Sequence, residues 1–550
     1  MSAITRALKR FEVSSNGQYE YTGTSQWGNR DIYPVLPEHQ TYTSKAFWAY
    51  WATAGICISS YTLGSSMIGV GLTAGQACGA VLVGAAFAGL LGFLAGQPGR
   101  VHHMGFFMMC RAAFGLWGSY FAILLPLFES IIYFGIQSYY GGQAVVVILN
   151  SIFPQYLHLK NTLPTSSGTT TSGLIGFFLY FVFYIPFIFV PPNKLQKFLY
   201  PNMLVICVTF AGILGWAINT NGGPGNLVQP TIPLTNKNAA FAMMSAISST
   251  AGAYTGGSVR ISDWARFSKT KNAVVLPLLF AQPITVTLGA LVGVLTTSAI
   301  NHHYGELIWN PLEMLQYIQA LHYTPACRAG TFFAGCGLLV SQVFVNMTQN
   351  GVSSAMDITA LLPRYIDIRR GGFVIVVIGI VIQPWRCLTQ AATFLTVLSS
   401  FGVFLAPLCG IVFADFWFVR KQNWKIPDLY KEDGIFWFHG GWNWRAFTAF
   451  FISVWPSMPG FVCAVNGHHI AEGWTRIYQL SYFVGLILSI PIYLLLNKMS
   501  PPPGQYEMEC MDEYPDVIEG QSPVGSSLEF SEKPVEEGKG KQATVSALEA

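Results

Sequence analysis

The chain is 550 residues long, 52% hydrophobic and only 10% charged, with a formal net charge of +4. Soluble globular domains carry about a quarter charged residues, so this balance excludes an ordinary soluble fold and indicates a polytopic membrane protein. It also lacks the basic, aromatic-interleaved patch of a nucleic-acid binder.

A polar arm, residues 1–46, comes first, with Arg6, Lys9, Arg10 and Arg30 and no stretch of signal-peptide type. A membrane-spanning helix needs roughly 20 mostly apolar residues. Twelve segments meet that requirement: 47–71, 74–96, 117–148, 172–191, 197–218, 239–261, 273–300, 329–357, 372–388, 391–418, 446–466 and 478–497, spans 1 to 12 in order. Lys and Arg gather in alternate short loops: Arg100 and Arg111 after span 2, Lys194 and Lys197 after span 4, Arg266, Lys269 and Lys271 after span 6. Arg364, Arg369 and Arg370 follow span 8, and Arg420, Lys421, Lys425 and Lys431 follow span 10. The intervening loops are poor, with Lys160 alone in 149–171 and Lys237 alone in 219–238, which assigns both termini to the cytoplasm.

Span 1 carries Gly55, Ser59, Ser60, Thr62, Gly64, Ser65 and Ser66 where a plain membrane helix would carry Leu or Val. Span 3 sets Glu129, Tyr133 and Gln137 at i, i+4 and i+8, a carboxyl, a phenol and an amide on one face. An aromatic gives a planar ligand a stacking surface, and an amide both donates and accepts. A neutral heterocycle with a ring carbonyl and N–H fits such a face; the plain alternative is a polar seam joining span 3 to a neighbour. Glu129 reads as a proton carrier, a permanently neutral group or the partner of a base.

Span 6 holds Gly252, Gly256 and Gly257 with Thr255 and Ser258, then meets Arg260, Asp263 and Arg266 at the membrane edge. Each glycine weakens a helix by roughly 1 kcal/mol. The span therefore reads as a helix broken around a cavity, with Gly256 and Gly257 as the pivot, or as a closely packed helix. Spans 1 and 6 stand at matching positions of two five-helix halves, the sequence pointer to an inverted-repeat transporter. Span 8 sets Gln342, Asn346, Thr348, Gln349, Asn350, Ser353, Ser354 and Asp357 inside an apolar segment. Asn346 and Asn350 share a face with Asp357 two turns further on, a face that lines a pathway rather than lipid.

Residues 427–447 are too polar to span, and Trp437, Trp442 and Trp444 suit a membrane–water interface. The segment 498–550 is acidic, poor in aromatics and expected to be a disordered cytoplasmic tail, a handle for trafficking or ubiquitination machinery. No Walker-type loop, HExxH or GxSxG occurs, and the cysteines show no CxxC pair or metal spacing. The chain therefore reads as no enzyme, with no cofactor and no metal.

Several words are family vocabulary: NRDIYPV (29–35), PGRVHHMGFFMMCRAAFGLWGSYF (98–121), YFGIQSYYGGQ (133–143), ISDWARFSK (261–269), NMTQNGVSSAMDITALLPRYIDIRRGG (346–372) and FGVFLAPLCGIVFADFW (401–417). With IPDLY, GGWNWRAF and PSMPGF between 426 and 461, the chain over 29–497 resembles the nucleobase–cation symporter family one, in its fungal uracil/allantoin/uridine permease branch. That branch also includes thiamine and nicotinamide riboside transporters. The resemblance implies twelve transmembrane helices: a five-plus-five inverted repeat with broken helices 1 and 6, and two C-terminal helices. Helices 1–5 fall at about 47–218, helices 6–10 at about 239–418 and helices 11–12 at about 446–497. It implies a central site in which Tyr133 and Tyr254 stack on the ring and Gln137 and Asn350 bond its edge. The resemblance adds Asp357 as the acidic partner further down span 8; the expectation is that Asp357 and Glu129 couple protonation to closure and, from proximity and sign alone, that Arg260 and Asp263 pair in the inner gate.

Three positions depart from the family pattern. The helix-3 aromatic, usually Trp, is Tyr133, and the uracil-type word Asn-Ile-Asn-Thr-Trp-Gln of helix 1 is CISSYT here (57–62). Where sodium-coupled bacterial relatives have hydroxyl residues before Asn346, this chain has Phe344 and Val345, which offer no side-chain oxygen. Protons are the expected coupling ion. The expectation is a plasma-membrane importer of a small nitrogen heterocycle such as uracil or allantoin, working by alternating access. The alternatives are a nucleoside or vitamin substrate (uridine, thiamine, nicotinamide riboside) and a membrane sensor that binds without transport.

Overall fold

A computed structural model describes residues 9, 11–13, 24–227, 236–388 and 391–504. The regular elements among them are helices; the extended backbone makes two isolated bridges, Tyr42 with Ser268 and His439 with Trp442. The helices used below are α1 (Ser44–Gly55), α2 (Ile58–Gly69), α3 (Ala74–Ala95), α4 (Gly118–Ile152), α5 (Thr171–Ile188), α6 (Gln196–Asn221), α7 (Asn236–Val259) and α8 (Gln282–Tyr304). They continue with α9 (Pro325–Val345), α10 (Val352–Leu361), α11 (Ile368–Val381), α12 (Ala391–Ala414), α13 (Trp444–Val454), α14 (Met458–Asn466) and α15 (Ser481–Met499). The part of the expected tail from 505 onward lies outside the described residues.

Nine helices among the described residues are long and apolar enough to cross a membrane. They correspond to predicted spans 2–5, 7, 8 and 10–12. Spans 1, 6 and 9 fall short of that measure, each for a different physical reason. Span 1 is split: Ile56 and Cys57 leave the helical region, Cys57 with φ −149° and ψ 173°, so α1 and α2 are 12 residues each. Span 6 is long enough, but small and polar residues dilute its apolar character. Span 9 is only the 14 residues of α11, because Asp367 caps its start (Arg370 N–H to Oδ1, 2.8 Å) and Gln383–Pro384 closes its end.

The predicted pivot in span 6 is corrected by the structure. Helix α7 runs unbroken through Gly252, Gly256 and Gly257, and the interruption comes at Arg260–Ile261, followed by a short turn at Ser262–Ala265. The glycines serve close approach instead. A Cβ on Gly252 would lie 2.9 Å from the Leu398 carbonyl oxygen and 3.1 Å from the Gly402 nitrogen, both on α12. A Cβ on Gly256 would overlap the Glu129 carboxyl on α4. Helix α7 is thus gripped by α3, α12 and α4, with no room for larger residues at these crossings.

Sequence reading missed the helix Pro311–Leu321 between α8 and α9, which Asn310 caps by accepting from Leu312 N–H at 3.0 Å. Between α12 and α13, Trp442 and Trp444 are exposed as expected of interfacial residues, whereas Trp437 packs on Trp27 with ring centres 6.4 Å apart. Residues 24–43 of the arm are bound to the bundle. Trp27 and Tyr33 are buried, Asn29 donates to the Pro363 and Ile366 carbonyls, and Arg266 donates to the carbonyls of Asp31 and Tyr33.

Candidate functional site

Helix α4 crosses the centre of the bundle against α5 and α9. Its Glu129, Tyr133 and Gln137 stack one turn apart and line one cavity of about 50 Å³. The split between α1 and α2 brings Cys57 and Ser59 to the same cavity, which is where a freed backbone is tolerated inside a membrane protein. From α7 come Tyr254, Gly257 and, past its end, Arg260; from the segment after α9 come Gln349 and Asn350. Of the eight residues singled out from sequence, six therefore meet at one cavity: Glu129, Tyr133, Gln137, Tyr254, Arg260 and Asn350.

The other two stand beside it in different roles. Arg260 is 2% exposed and Asp357 fully buried, and they form an ion pair of 3.1 Å. Arg260 Nε also donates to the Gly256 carbonyl at 3.0 Å, and its other terminal nitrogen donates to Ser130 on α4. The expected pairing of Arg260 with Asp263 is not what the structure holds. Asp263 Oδ1 instead accepts from Phe106 N–H at 2.8 Å, at the start of the helix Phe106–Phe114. The physical reason is that a carboxylate is favoured at a helix N-terminus, while the turn after Val259 aims Arg260 at α10.

The aromatic and amide groups are also fixed. The Tyr133 ring lies 5.5 Å from Phe401 at a tilt of 40°. Gln137 donates to Ser59 Oγ at 2.8 Å and accepts from Gln342 Nε2 at 2.6 Å. Asn350 donates to Asn346 Oδ1 at 3.0 Å. Tyr254 is partly exposed, toward the cavity it lines. The arrangement offers two tyrosine faces and two side-chain amides to a small planar molecule, with a carboxyl and a paired guanidinium at one end. Its chemistry is recognition: no nucleophile–base pair stands among these groups.

Sequence reading passed over three contributors, Phe394, Leu398 and Ser130, and had Ser59 only among the small residues of span 1. Phe394 and Leu398 line the cavity from α12, and no signal marks two apolar residues in an apolar span. Ser130 and Ser59 had a signal, being polar in membrane segments, and act as partners of Arg260 and Gln137. Phe394 stacks under Trp309, ring centres 5.6 Å apart, just before the Pro311–Leu321 helix. There Asn310 donates to Gln143 on α4 and to Glu313, both at 3.1 Å. Burial raises the Glu313 carboxyl above its ordinary pKa, and its hydrogen bonds with Asn310 and Gln143 counter part of that rise.

Known proteins place this architecture. The solved structure of Mhp1, a nucleobase-cation-symport-1 family transporter, closed with bromovinylhydantoin bound, shares the fold: TM-score 0.68, 19% identity, covering 86% of this chain and 97% of that one. Its inward-facing form gives a TM-score of 0.66 over 87% of this chain and 96% of that one, at 19% identity. Transporter aclS of Aspergillus oryzae is 31% identical over 92% of this chain and 91% of its own length. The allantoin permease of Saccharomyces cerevisiae is 30% identical (86% and 76%), and the thiamine transporter of the same yeast 29% (91% and 83%). The profile described as "Permease for cytosine/purines, uracil, thiamine, allantoin" matches residues 34–485, including the whole cavity. The chain is an integral membrane protein and belongs to that permease family.

Proposed function

We propose that the protein is a secondary active transporter that imports a small nitrogen heterocycle of nucleobase type, uracil, allantoin or a related ring, together with protons. Tyr133 and Tyr254 stack on the ring, and Gln137 and Asn350 bond its edge. Asp357 and Glu129 couple protonation to closure, with Arg260 held between them. The carrying observation is that all four proposed ligand-binding side chains line one cavity together with Glu129 and Arg260. The relatives named for allantoin and uracil support the ligand class. Against a sodium site, the Phe344 ring stacks on Phe198 (centroids 5.9 Å) and meets Phe187 edge-on (4.9 Å), and it offers no oxygen ligand.

The architecture proposed for this activity is twelve transmembrane helices over 47–497: a five-plus-five repeat, then two C-terminal helices. In this reading the arm 1–46 and the tail 498–550 are cytoplasmic, trafficking or ubiquitination machinery acts at the termini, and the membrane is the plasma membrane. The split of α1 from α2 and the turn after Val259 are the two interruptions, in spans 1 and 6, that support this reading. The test is uptake of labelled compound in a transport-deficient host, with uracil, uridine, allantoin, cytosine, thiamine and nicotinamide riboside as competitors. Accumulation against the gradient that collapses with a protonophore supports the proposal. Binding without accumulation leaves a sensor, and no competition by any of the six sinks the ligand class.

A second reading, a cationic vitamin-like substrate, is favoured by one observation. Glu129 lines the cavity, while among the described residues Arg260 has its ion pair with Asp357 alone. A carboxylate there would serve as counter-charge. Glu129→Gln that abolishes binding while preserving the pH dependence of uptake selects this reading.

A further inference from the structure

The cavity end holds more carboxyls than cations. Glu129 is 2% exposed and lines the cavity, and its Oε2 has no hydrogen-bond partner among the described residues. The cation facing it is Arg260. Each nitrogen of that guanidinium has a partner elsewhere: Nε on the Gly256 carbonyl (3.0 Å), one terminal nitrogen on Asp357 (3.1 Å) and the other on Ser130. The remaining titratable groups around Glu129 are neutral: the Tyr133 phenol one turn on along α4, the Cys409 thiol on α12, and the Tyr254 phenol on α7.

Two buried carboxyls, Glu129 and Asp357, thus share one guanidinium. Past the end of α7 stand Asp263 and Arg266, both buried, which add one charge of each sign. With every group ionised, three carboxylates face two guanidiniums, and a single negative charge is left over however the pairs are drawn. Water and counter-ions screen that excess while the cavity is open. Sealed from water, an uncompensated charge is far costlier than one that is protonated or paired. Of the three carboxyls, Glu129 alone lines the cavity, while Asp357 is held by Arg260.

We infer that closure of the cavity requires one positive charge at Glu129, and that the guest decides its source: a proton on the carboxyl when the ring is neutral, the ring's own charge when it is cationic. The inference rests on the heterocycle-transport reading above and places its two substrate classes in one site. A neutral ring travels with one proton, which binds a Glu129 oxygen from outside and leaves to the cytoplasm. A cationic ring takes the place of that proton and travels without one. One positive charge crosses in either case. Neutral rings therefore bind best at low pH and lose affinity as Glu129 ionises, whereas cationic rings compete with the proton and gain affinity over the same range.

The experiment uses the full-length chain in proteoliposomes, with uracil and allantoin as neutral probes and thiamine and 1-methylnicotinamide as cations. A pH gradient, acid outside, is imposed at zero voltage; an inside-negative voltage is imposed separately at equal pH. The pH gradient is expected to concentrate a neutral ring up to about tenfold per pH unit and to leave a cationic ring unconcentrated. The voltage should concentrate both. Glu129→Gln removes the excess charge, so neutral uptake should cease to follow the pH gradient, and cation binding should fall about tenfold or more. A pH gradient that concentrates the cation as it does the neutral ring, a neutral ring that ignores the gradient, or a site that takes only one of the two classes overturns the inference. These are wild-type measurements and stand even if the variant fails to mature. A chain that neither binds nor carries any of the four overturns the heterocycle site itself, a result distinct from losing the exchange of proton for charge.

Discussion

The amide wall of the cavity and the charged cluster at its end share the run from α9 to α10, with α4 completing the wall and the turn after α7 supplying Arg260, yet they are built on opposite terms. Gln137 and Asn350 are neutral, held by Gln342 and Asn346, and keep bonding capacity for a guest. Arg260 and Asp357 form a buried ion pair, at 2% and 0% exposure, with Arg260 also donating to the Gly256 carbonyl and to Ser130. A neutral group that loses its partner in such a place costs about 1–3 kcal/mol, whereas an orphaned buried charge costs about 3–5 kcal/mol. For the proposed transport cycle the difference sets which residues tolerate rearrangement: a neutral amide exchanges one partner for another at small cost, whereas the ion pair opens only with a proton or water to replace it.

Four tests would break or sharpen this contrast. The largest effect is expected from Arg260→Met, which strands Asp357; about 3–5 kcal/mol is enough to deplete the folded transporter, read as loss of surface protein by a fluorescent fusion. Arg260→Met with Asp357→Leu should restore surface protein but not uptake. Normal maturation of the single variant would show that the pair is not a structural unit. Next, Gln137→Ala and Asn350→Ala should each weaken substrate affinity roughly 10- to 100-fold with surface protein preserved. Unchanged affinity in both would remove the wall from the site. Glu129→Gln keeps the shape and removes the charge; for a proton carrier the pH dependence of uptake flattens while substrate binding persists. Smallest is Phe394→Ala, which should raise KM about 2- to 10-fold by removing a ring from the wall while Trp309 loses its stacking partner.

Much of the site was legible in the sequence because polarity inside a membrane is conspicuous. Three residues at i, i+4 and i+8 on span 3 and a run of amides on span 8 mark a face without any structure. Phe394 and Leu398 carried no such contrast. Glycine was ambiguous for a physical reason: the same absence of Cβ serves a broken helix and a close crossing, and only the positions of Leu398, Gly402 and Glu129 decide for the crossing at Gly252 and Gly256. Charge pairing was illegible too. Arg260 and Asp263 are three apart in sequence, but the turn after Val259 sends one side chain to α10 and the other to the start of Phe106–Phe114. The Pro311–Leu321 helix, by contrast, was readable from Asn310 and Pro311 at its start and was hidden by the search for apolar spans alone.

Between α9 and α10 the chain winds as a wider π turn, Asn346–Gly351, within one continuous 37-residue helix. The turn acts as a phase setting. It fixes the azimuth of the paired-charge half of the helix relative to the ligand-reading half. In an ordinary α-helix one residue corresponds to about 100° of rotation. Rewinding 346–351 as an ordinary α-helix without removing a residue would leave Gln342 where it is and swing Asp357 by about 100° away from Arg260, whereas removing one residue at the same time would nearly restore the alignment. The alignment of the two halves therefore depends on count and winding together: six residues wound as π hold the phase that five would hold as α.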